Sequence, residues 1–147
     1  MAKAKKRGPR RKKAAAGSLG LSAIETATID SKELLDLTSA IKGDAGAILA
    51  MYRDPFGATP VLIVALPIDK VEPTPYQRDP SDTHIKKLMT VIEKVGRFLD
   101  PLVLIRQDDS YWTPNGNHRL QAMKKLGAKS IIGNSSRSAR PTRIARA

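Results

Sequence analysis

The stretch "LVLIRQDDSYWTPNGNHRLQAMKKLGAKSII", residues 102–132, decides the fold. Its first residues are apolar or β-branched and predict a strand, and "QDDS" predicts a turn into the returning strand "YWT". "PNG" predicts a second turn, which leads into a helix over Asn117–Leu126 that Gly127 ends. "KSII" predicts a further strand. Two strands, a helix and a strand in this order indicate a small α+β layer structure.

The preceding residues extend the same architecture. "VLIVAL", bounded by Pro60 and Pro67, predicts a buried strand, and "PIDKVEPTPYQRDP", residues 67–80, predicts an extended or turning segment because of its four prolines. "SDTHIKKLMTVIEKVG", residues 81–96, is the clearest helix, capped by Ser81 or Asp82 and ended by Gly96. Its apolar stripe predicts a face that packs on the core. That stripe consists of Ile85, Leu88, Met89, Ile92 and Val95.

Residues 21–59 are predicted as a helical extension. "TATIDSKELLDLTSAIKG" indicates a helix with Asp30 or Ser31 as N-cap, and Gly43 ends it. "DAGAILAMY" indicates a second short helix before the turn "RDPFG". We expect this extension to pack on the domain or on a partner. The other predicted units are a disordered basic tail over 1–20, the α+β domain over 60–133, and an Arg-rich disordered tail over 134–147.

The formal net charge of +12 lies entirely in the two ends of the chain. Residues 1–13 carry eight Lys or Arg and residues 134–147 carry four Arg, with no acidic residue in either segment. The remaining 14 basic side chains balance the 14 acidic ones, so the body of the chain is formally neutral. The charge therefore predicts tails that bind DNA non-specifically, or simply solvated ends. The candidate DNA-binding residues are Lys5, Lys6, Arg7, Arg10, Arg11, Lys12 and Lys13.

Several classes of site and location are disfavoured. The chain has no cysteine, which excludes disulfides, thiolate nucleophiles and cysteine-ligated metals. His84 and His118 are the only histidines, so no metal site is expected. The longest apolar run, "VLIVALPI", is too short to span a membrane, and no secretory signal follows the basic N-terminus. We expect a cytoplasmic protein without membrane contact.

The helix opening at Gly116 carries the candidate site. We expect Gly116 to adopt a positive φ and Asn117 to be the N-cap, so that His118 and Arg119 fall in the first turn. The first N–H groups of a helix have no acceptor within the helix and favour anions, whereas cations there are unfavourable. A bound phosphate would relieve that conflict. The alternative is an ordinary cap followed by two solvated side chains, and the local pattern leaves both open.

The order of these elements resembles the N-terminal domain of the ParB family, in the ParB/sulfiredoxin superfamily. The resemblance covers residues 67–132 and rests on the Pro-rich segment, the helix ending in glycine, the "PLV" strand, and the hairpin that leads to a G-x-x-R-x-x-A helix. Gly116, Arg119 and Ala122 occupy the motif positions. The resemblance implies a ParB/sulfiredoxin-like mixed α+β fold.

The resemblance also implies a function. It implies that the phosphates of a nucleoside triphosphate bind at the helix opening and at the preceding arm, which carries Gln77 and Arg78. CTP is the favoured nucleotide, and Mg²⁺ can accompany it. The implied phosphate-binding residues are Gly116, Asn117, His118, Arg119, Gln77 and Arg78. It further implies a nucleoid-associated protein of chromosome or plasmid partition that binds DNA, hydrolyses nucleotide slowly at most, and is able to form a homodimer.

Three departures from the family pattern keep alternatives open. "NHR" replaces the two adjacent arginines of partition proteins, and Asn117 stands where a sulfiredoxin carries its catalytic cysteine, which excludes peroxiredoxin repair. After Ile132 the chain continues as "GNSSRSARPTRIARA", which predicts a truncated or altered C-terminus. A ParB-like nuclease or an ATP-dependent phosphotransferase is the alternative function. Its carboxylates would come from Asp79, Asp82, Asp100, Asp108 and Asp109, although caps and a hairpin turn also account for them.

Overall fold

A computed structural model describes residues 19–108 and 110–136. The chain forms four α-helices and six strands over this range. The helices are α1 (Ala23–Thr26), α2 (Leu35–Gly43), α3 (Asp82–Val95) and α4 (Asn117–Lys125). The strands are β1 (Ala47–Arg53), β2 (Pro60–Pro67), β3 (Val71–Pro73), β4 (Leu102–Gln107), β5 (Ser110–Thr113) and β6 (Ser130–Ser136), and short 3₁₀ helices cover Ser31–Leu34 and Ile68–Lys70.

The strands form one mixed sheet in the order β1-β2-β6-β4-β5-β3. Antiparallel pairing joins β1 to β2, β2 to β6, and β4 to β5, whereas β4 with β6 and β3 with β5 are parallel. The Pro-rich segment supplies β3, which lies at the sheet edge, where prolines are tolerated. The mixed sheet and its helices confirm the predicted α+β class.

The core lies between the sheet and its helices. Leu62, Val64 and Leu66 alternate along β2 and are fully buried, as period-two side chains on one face of a strand must be. They share one cluster with residues of the first 3₁₀ helix, α2, β4, β6 and α4, so these helices cover the same face of the sheet. The cluster includes Leu34, Ile41, Leu102, Leu104, Leu120 and Ile131.

The second helix predicted in "DAGAILAMY" is wrong, because this stretch forms the edge strand β1. A turn through Asp44–Gly46, with Ala45 at φ 63°, ends α2 and reverses the chain. Residues 47–53 then pair with β2, with a bulge between Ile48 and Ala50. Backbone pairing with a buried neighbour strand has overridden the local helical preference. The domain division at residue 60 stays a prediction, and this boundary falls between two paired strands.

The C-terminal tail predicted from residue 134 begins too early. Asn134, Ser135 and Ser136 are the last residues of β6 and pair with β2, while the first two also pair with β4. A strand between two neighbours has its backbone groups satisfied on both edges, which compensates for the low strand propensity of "NSS". Residues 137–147 lie outside the described residues, as do 1–18 of the predicted N-terminal tail.

The prediction of a core-facing stripe on α3 is correct for only part of the helix. Ser81 caps α3, Gly96 ends it at φ 68°, and Ile85 is buried as expected. Leu88, Met89 and Ile92 are half-buried, but Val95 is 48% exposed. The C-terminal half of α3 therefore leaves part of its apolar stripe exposed. None of the helices in the described ranges is long and apolar enough to cross a bilayer.

Candidate phosphate-binding site

The turn before α4 is shaped by a close approach of the backbone to β4. Gly116 is the N-cap of α4, and its φ of −120° shows that the predicted positive φ is wrong. The structure requires glycine for a steric reason instead. A Cβ at this position would overlap Leu102 Cδ2 and would lie 2.9 Å from Thr113 Oγ1. Any larger residue would push the start of α4 away from the sheet.

The first turn of α4 presents backbone donors with no side-chain cap. The prediction that Asn117 is the N-cap is wrong, because Asn117 is already the first helical residue and is buried. Its Oδ1 accepts a hydrogen bond from Gln121 Nε2 at 3.2 Å. No side chain of the described residues caps the helix, and its first turn contains no acidic residue. The leading N–H groups are therefore available to an anion.

Arg119 lies at the edge of this opening. Its Nη1 donates to the carbonyl oxygens of Asp100 at 3.0 Å and Pro101 at 3.4 Å, which ties α4 to the loop before β4. Within the described ranges, its Nε and Nη2 groups have no hydrogen-bond acceptor. Two carbonyls hold the guanidinium without neutralising it, so it keeps both its charge and free donors for an anionic ligand.

His118 joins the starts of the two helices. Its Nε2 accepts a hydrogen bond from the backbone N–H of Ser81 at 3.1 Å, and its ring lies 4.5 Å from that of His84, tilted by 42°. A ring nitrogen that accepts this bond carries no proton. A hydrogen bond from Nε2 to a phosphate therefore requires that Nε2 carry the ring proton and release the N–H of Ser81.

The arm before α3 crosses the same opening. Gln77 is half-buried, and its Nε2 donates to the Thr113 carbonyl at 2.6 Å. Together with the contact at Ser81, this bond fixes one end of residues 77–81 to the last residue of β5 and the other end to the first turn of α4. Arg78 lies between the two attachments and is exposed. A cleft between α3 and α4 is lined by His84, Leu88, Asn115, Gly116, His118 and Arg119.

The structure thus assembles most of the predicted site. It brings Gly116, Asn117, His118 and Arg119 together at one helix opening and attaches Gln77 beside them. It shows no contact of Arg78 with this group in the part of the chain that it describes. The predicted DNA-binding residues, from Lys5 to Lys13, lie outside the described residues. Among described residues, no group of three or more His, Asp or Glu could hold a metal ion.

A second polar cluster, which no sequence pattern predicts, ties the end of α2 to β4 and β5. Asp44, at the end of α2, accepts hydrogen bonds from Arg106 Nε at 2.9 Å and from the Tyr111 hydroxyl at 2.6 Å. Asp44 and Tyr111 are buried. Asp44 is 62 positions from Arg106 and 67 from Tyr111, so no local pattern connects them. This Asp44–Arg106–Tyr111 cluster is structural rather than part of the cleft.

The pKa values of this cluster indicate a charged, mutually stabilised group. Burial alone would raise the pKa of Asp44, but the hydrogen bonds from Arg106 and Tyr111 outweigh it, so the pKa lies below its ordinary value. The hydrogen bond to Asp44 raises the pKa of Arg106. Burial, and then the hydrogen bond to Asp44, raise the pKa of Tyr111. Asp44 is therefore ionised and Tyr111 neutral at pH 7.

Comparison with known proteins relates the chain to a family and to a curated protein. The family model of the ParB N-terminal domain matches residues 57–144. The chloroplastic/mitochondrial sulfiredoxin of Arabidopsis thaliana is 33% identical over 76 residues, which are 51% of this chain and 60% of that protein. This chain thus spans less than two thirds of the length of the curated relative that it matches.

Solved structures also align with the chain. Sulfiredoxin from Arabidopsis thaliana aligns with a TM-score of 0.44 at 31% identity, over 50% of this chain and 82% of that one. A free serine kinase in complex with AMP aligns at 0.46 and 23% identity, over 51% and 31%. The C-terminally truncated chromosome-partitioning protein ParB from Caulobacter crescentus, complexed with CTP-γ-S, aligns at 0.45 and 19% identity, over 50% and 43%.

Proposed function

Because the chain belongs to the ParB N-terminal domain family, we propose that it is a nucleotide-binding, DNA-associated protein of the chromosome or plasmid partition type. Its ligand is a nucleoside triphosphate, and the resemblance to partition proteins favours CTP. The phosphates bind at the opening of α4, on the backbone of Gly116–Arg119 and the side chain of Arg119. Gln77 and Arg78 border the nucleotide from the arm.

One observation carries this proposal: an uncapped helix start beside a cation that has no acidic partner. The positive end of the α4 dipole and the Arg119 guanidinium lie together, and no salt bridge to Arg119 occurs in the described part of the chain. A phosphate group would satisfy the free N–H groups and neutralise both charges. Arg119 offers two unused donor groups, as bidentate phosphate binding requires. A magnesium ion would reach this site only on the phosphates, because the described carboxylates are not clustered there.

We expect Arg119→Ala to weaken CTP binding by about tenfold to a hundredfold, because charge-assisted hydrogen bonds to phosphate contribute about 1.5 to 3 kcal/mol. Isothermal titration calorimetry with CTP, ATP and GTP on the wild type and the variant measures the effect. CTP is expected to bind more tightly than ATP or GTP.

Arg97→Ala is the matched control, since it removes the same charge from the exposed loop after α3. Its affinity for CTP should equal that of the wild type. Equal reductions in both variants would mean that a general positive field attracts the nucleotide and would contradict a specific phosphate site at α4. No binding of any of the three nucleotides to the wild type would overturn the proposed function.

We expect removal of residues 1–13 to weaken DNA binding and to flatten its dependence on salt. The segment carries eight Lys or Arg. For each phosphate that the protein no longer neutralises, the slope of log K against log salt decreases by about 0.9 in magnitude on duplex DNA. Fluorescence anisotropy of a labelled duplex, measured over a series of salt concentrations, gives both the affinity and the slope.

A full-length variant with Lys5, Lys6, Arg7, Arg10, Arg11, Lys12 and Lys13 replaced by glutamine serves as the control for chain length. It should reproduce the deletion. An unchanged affinity and slope in both proteins would remove the N-terminal tail from DNA binding. CTP binding should persist in both, because the phosphate site lies in the folded domain.

A further inference from the structure

The C-terminal half of α3 presents an apolar face that the rest of the described chain leaves open. Val91 and Val95 are 56% and 48% exposed, and Leu99 in the following loop is 66% exposed. With neighbouring side chains they form a continuous groove, which we call the α3 groove. The apolar residues Val91, Val95 and Leu99 line it together with Arg97, Asp100 and Arg119. Large apolar side chains exposed side by side are typical of an interaction surface.

The charges around this groove are predominantly positive. Lys87 and Lys94 lie within one helical turn of Val91, on the flank away from the buried Ile85, because residues three and four apart share a helix face. Arg97 and Arg119 line the groove itself, and Asp100 is the acidic residue among those that line it. A second copy of this face would therefore bring like charges together.

From the apolar floor and this basic rim, we propose that the α3 groove binds an acidic amphipathic helix of a partner protein. The partner's apolar side chains, three and four residues apart, would cover Val91, Val95 and Leu99. Its Glu or Asp side chains would face Lys87, Lys94 and Arg97. Such a helix satisfies both properties of the groove, whereas a purely polar polyanion leaves the valines exposed. The inference is independent of the nucleotide-binding proposal.

A labelled peptide of about 15 residues tests the proposal. It carries Leu on one helical face and Glu on its flanks, and fluorescence anisotropy at about physiological salt measures its affinity for the full chain. Because the Lys- and Arg-rich ends of the chain also attract acidic side chains, a scrambled peptide of the same composition is titrated in parallel. We expect the amphipathic peptide to bind at least about tenfold more tightly than the scrambled one.

Variants locate the binding face. The double substitution Val91→Ser and Val95→Ser, which leaves the charge unchanged, should weaken peptide binding by about tenfold. Leu35→Ser changes a similarly exposed leucine of α2 and should leave peptide binding unchanged. Lys87→Glu with Lys94→Glu should weaken binding by about fivefold. Lys86→Glu changes a charge on another side of α3 and should have a much smaller effect. Urea unfolding monitored by Trp112 fluorescence confirms that each variant is folded.

Three results would overturn the proposal. Equal binding of the scrambled peptide would mean that charge alone attracts it, and an unchanged affinity after the valine substitutions would remove the groove from the interaction. The third result concerns duplex DNA. If the valine substitutions weakened DNA binding as strongly as they weakened peptide binding, nucleic acid would be the occupant of the groove.

Discussion

Gly116→Ala is expected to lower the free energy of unfolding by about 1 to 3 kcal/mol and to weaken CTP binding by about tenfold or more. The added Cβ would overlap Leu102 Cδ2 and crowd Thr113 Oγ1. Both neighbours are buried and cannot move into solvent. The start of α4 must shift, and with it the N–H groups that we propose bind the phosphates. Urea unfolding monitored by the fluorescence of the single Trp112, and calorimetry with CTP, measure the two effects.

Gly43→Ala is the matched control for the same chemical change. Gly43 is the last residue of α2, and a Cβ there would meet nothing within 4 Å. We expect this variant to be as stable as the wild type or slightly more stable, because alanine restricts the unfolded chain. If Gly116→Ala matched Gly43→Ala in stability and in CTP affinity, the close approach to β4 would have no part in shaping the phosphate site.

The helix opening at Gly116 was predictable from the sequence, but the steric reason for its glycine was not, and phosphate binding there stays a prediction. The conflict between Arg119 and the helix dipole is local, so the sequence alone identifies the helix opening. The role of Gly116 depends on Leu102, which reaches the turn only through the packing of α4 on β4. The acceptor role of His118 likewise depends on Ser81, 37 residues earlier in the chain. Local rules suggested a positive φ because that is a common reason for glycine in a turn before a helix.

The fold was predictable where periodicity is strong and misjudged where strand pairing decides the structure. The alternation along β2 and the amphipathic pattern of α3 arise within short windows, so both elements follow from sequence. Residues 47–53 and 134–136 are strands because they pair with β2. Ala47 pairs with Ala65, and Ser136 pairs with Val61 near the other end of the same strand. No local window of sequence contains that information.

Asp44→Ala is expected to lower the free energy of unfolding by about 3 kcal/mol. The substitution leaves the buried hydroxyl of Tyr111 without its acceptor, and Arg106 without its ion-pair partner. Removing one partner of a buried hydrogen bond costs about 1 to 3 kcal/mol, and of a buried ion pair about 3 to 5. The expected value lies between these ranges because Arg106 remains partly in contact with water. Urea unfolding followed by Trp112 fluorescence measures the change.

The destabilisation caused by Asp44→Ala is expected to be larger at neutral pH than at acidic pH. The pKa of Asp44 is lower in the folded protein than in the unfolded chain, so the folded state gains stability from ionised Asp44 above the unfolded pKa of about 4. That gain is lost as the pH falls through the lower, folded pKa. The difference in the free energy of unfolding between the wild type and Asp44→Ala should therefore shrink below about pH 4. Repeating the urea titrations from neutral to acidic pH follows this convergence.

Two further variants separate the cluster from a general effect of removing a carboxylate. Asp79→Ala removes an exposed carboxylate and should unfold at nearly the urea concentration of the wild type. Asp44→Asn keeps an oxygen that can accept from one of the two donors, so its stability should lie between those of the wild type and Asp44→Ala. Equal stability of Asp44→Ala and Asp79→Ala would show that the fold does not depend on this cluster.

Asp44 also joins the end of α2 to β4 and β5, so its removal should loosen the N-terminal extension before the rest of the domain. In Asp44→Ala, hydrogen exchange of the β1 amides should accelerate more than that of the β6 amides, because β1 is an edge strand whereas β6 lies between β2 and β4. Uniform acceleration in both strands would instead mean that the cluster stabilises the whole domain equally, and that the extension does not open as a separate unit.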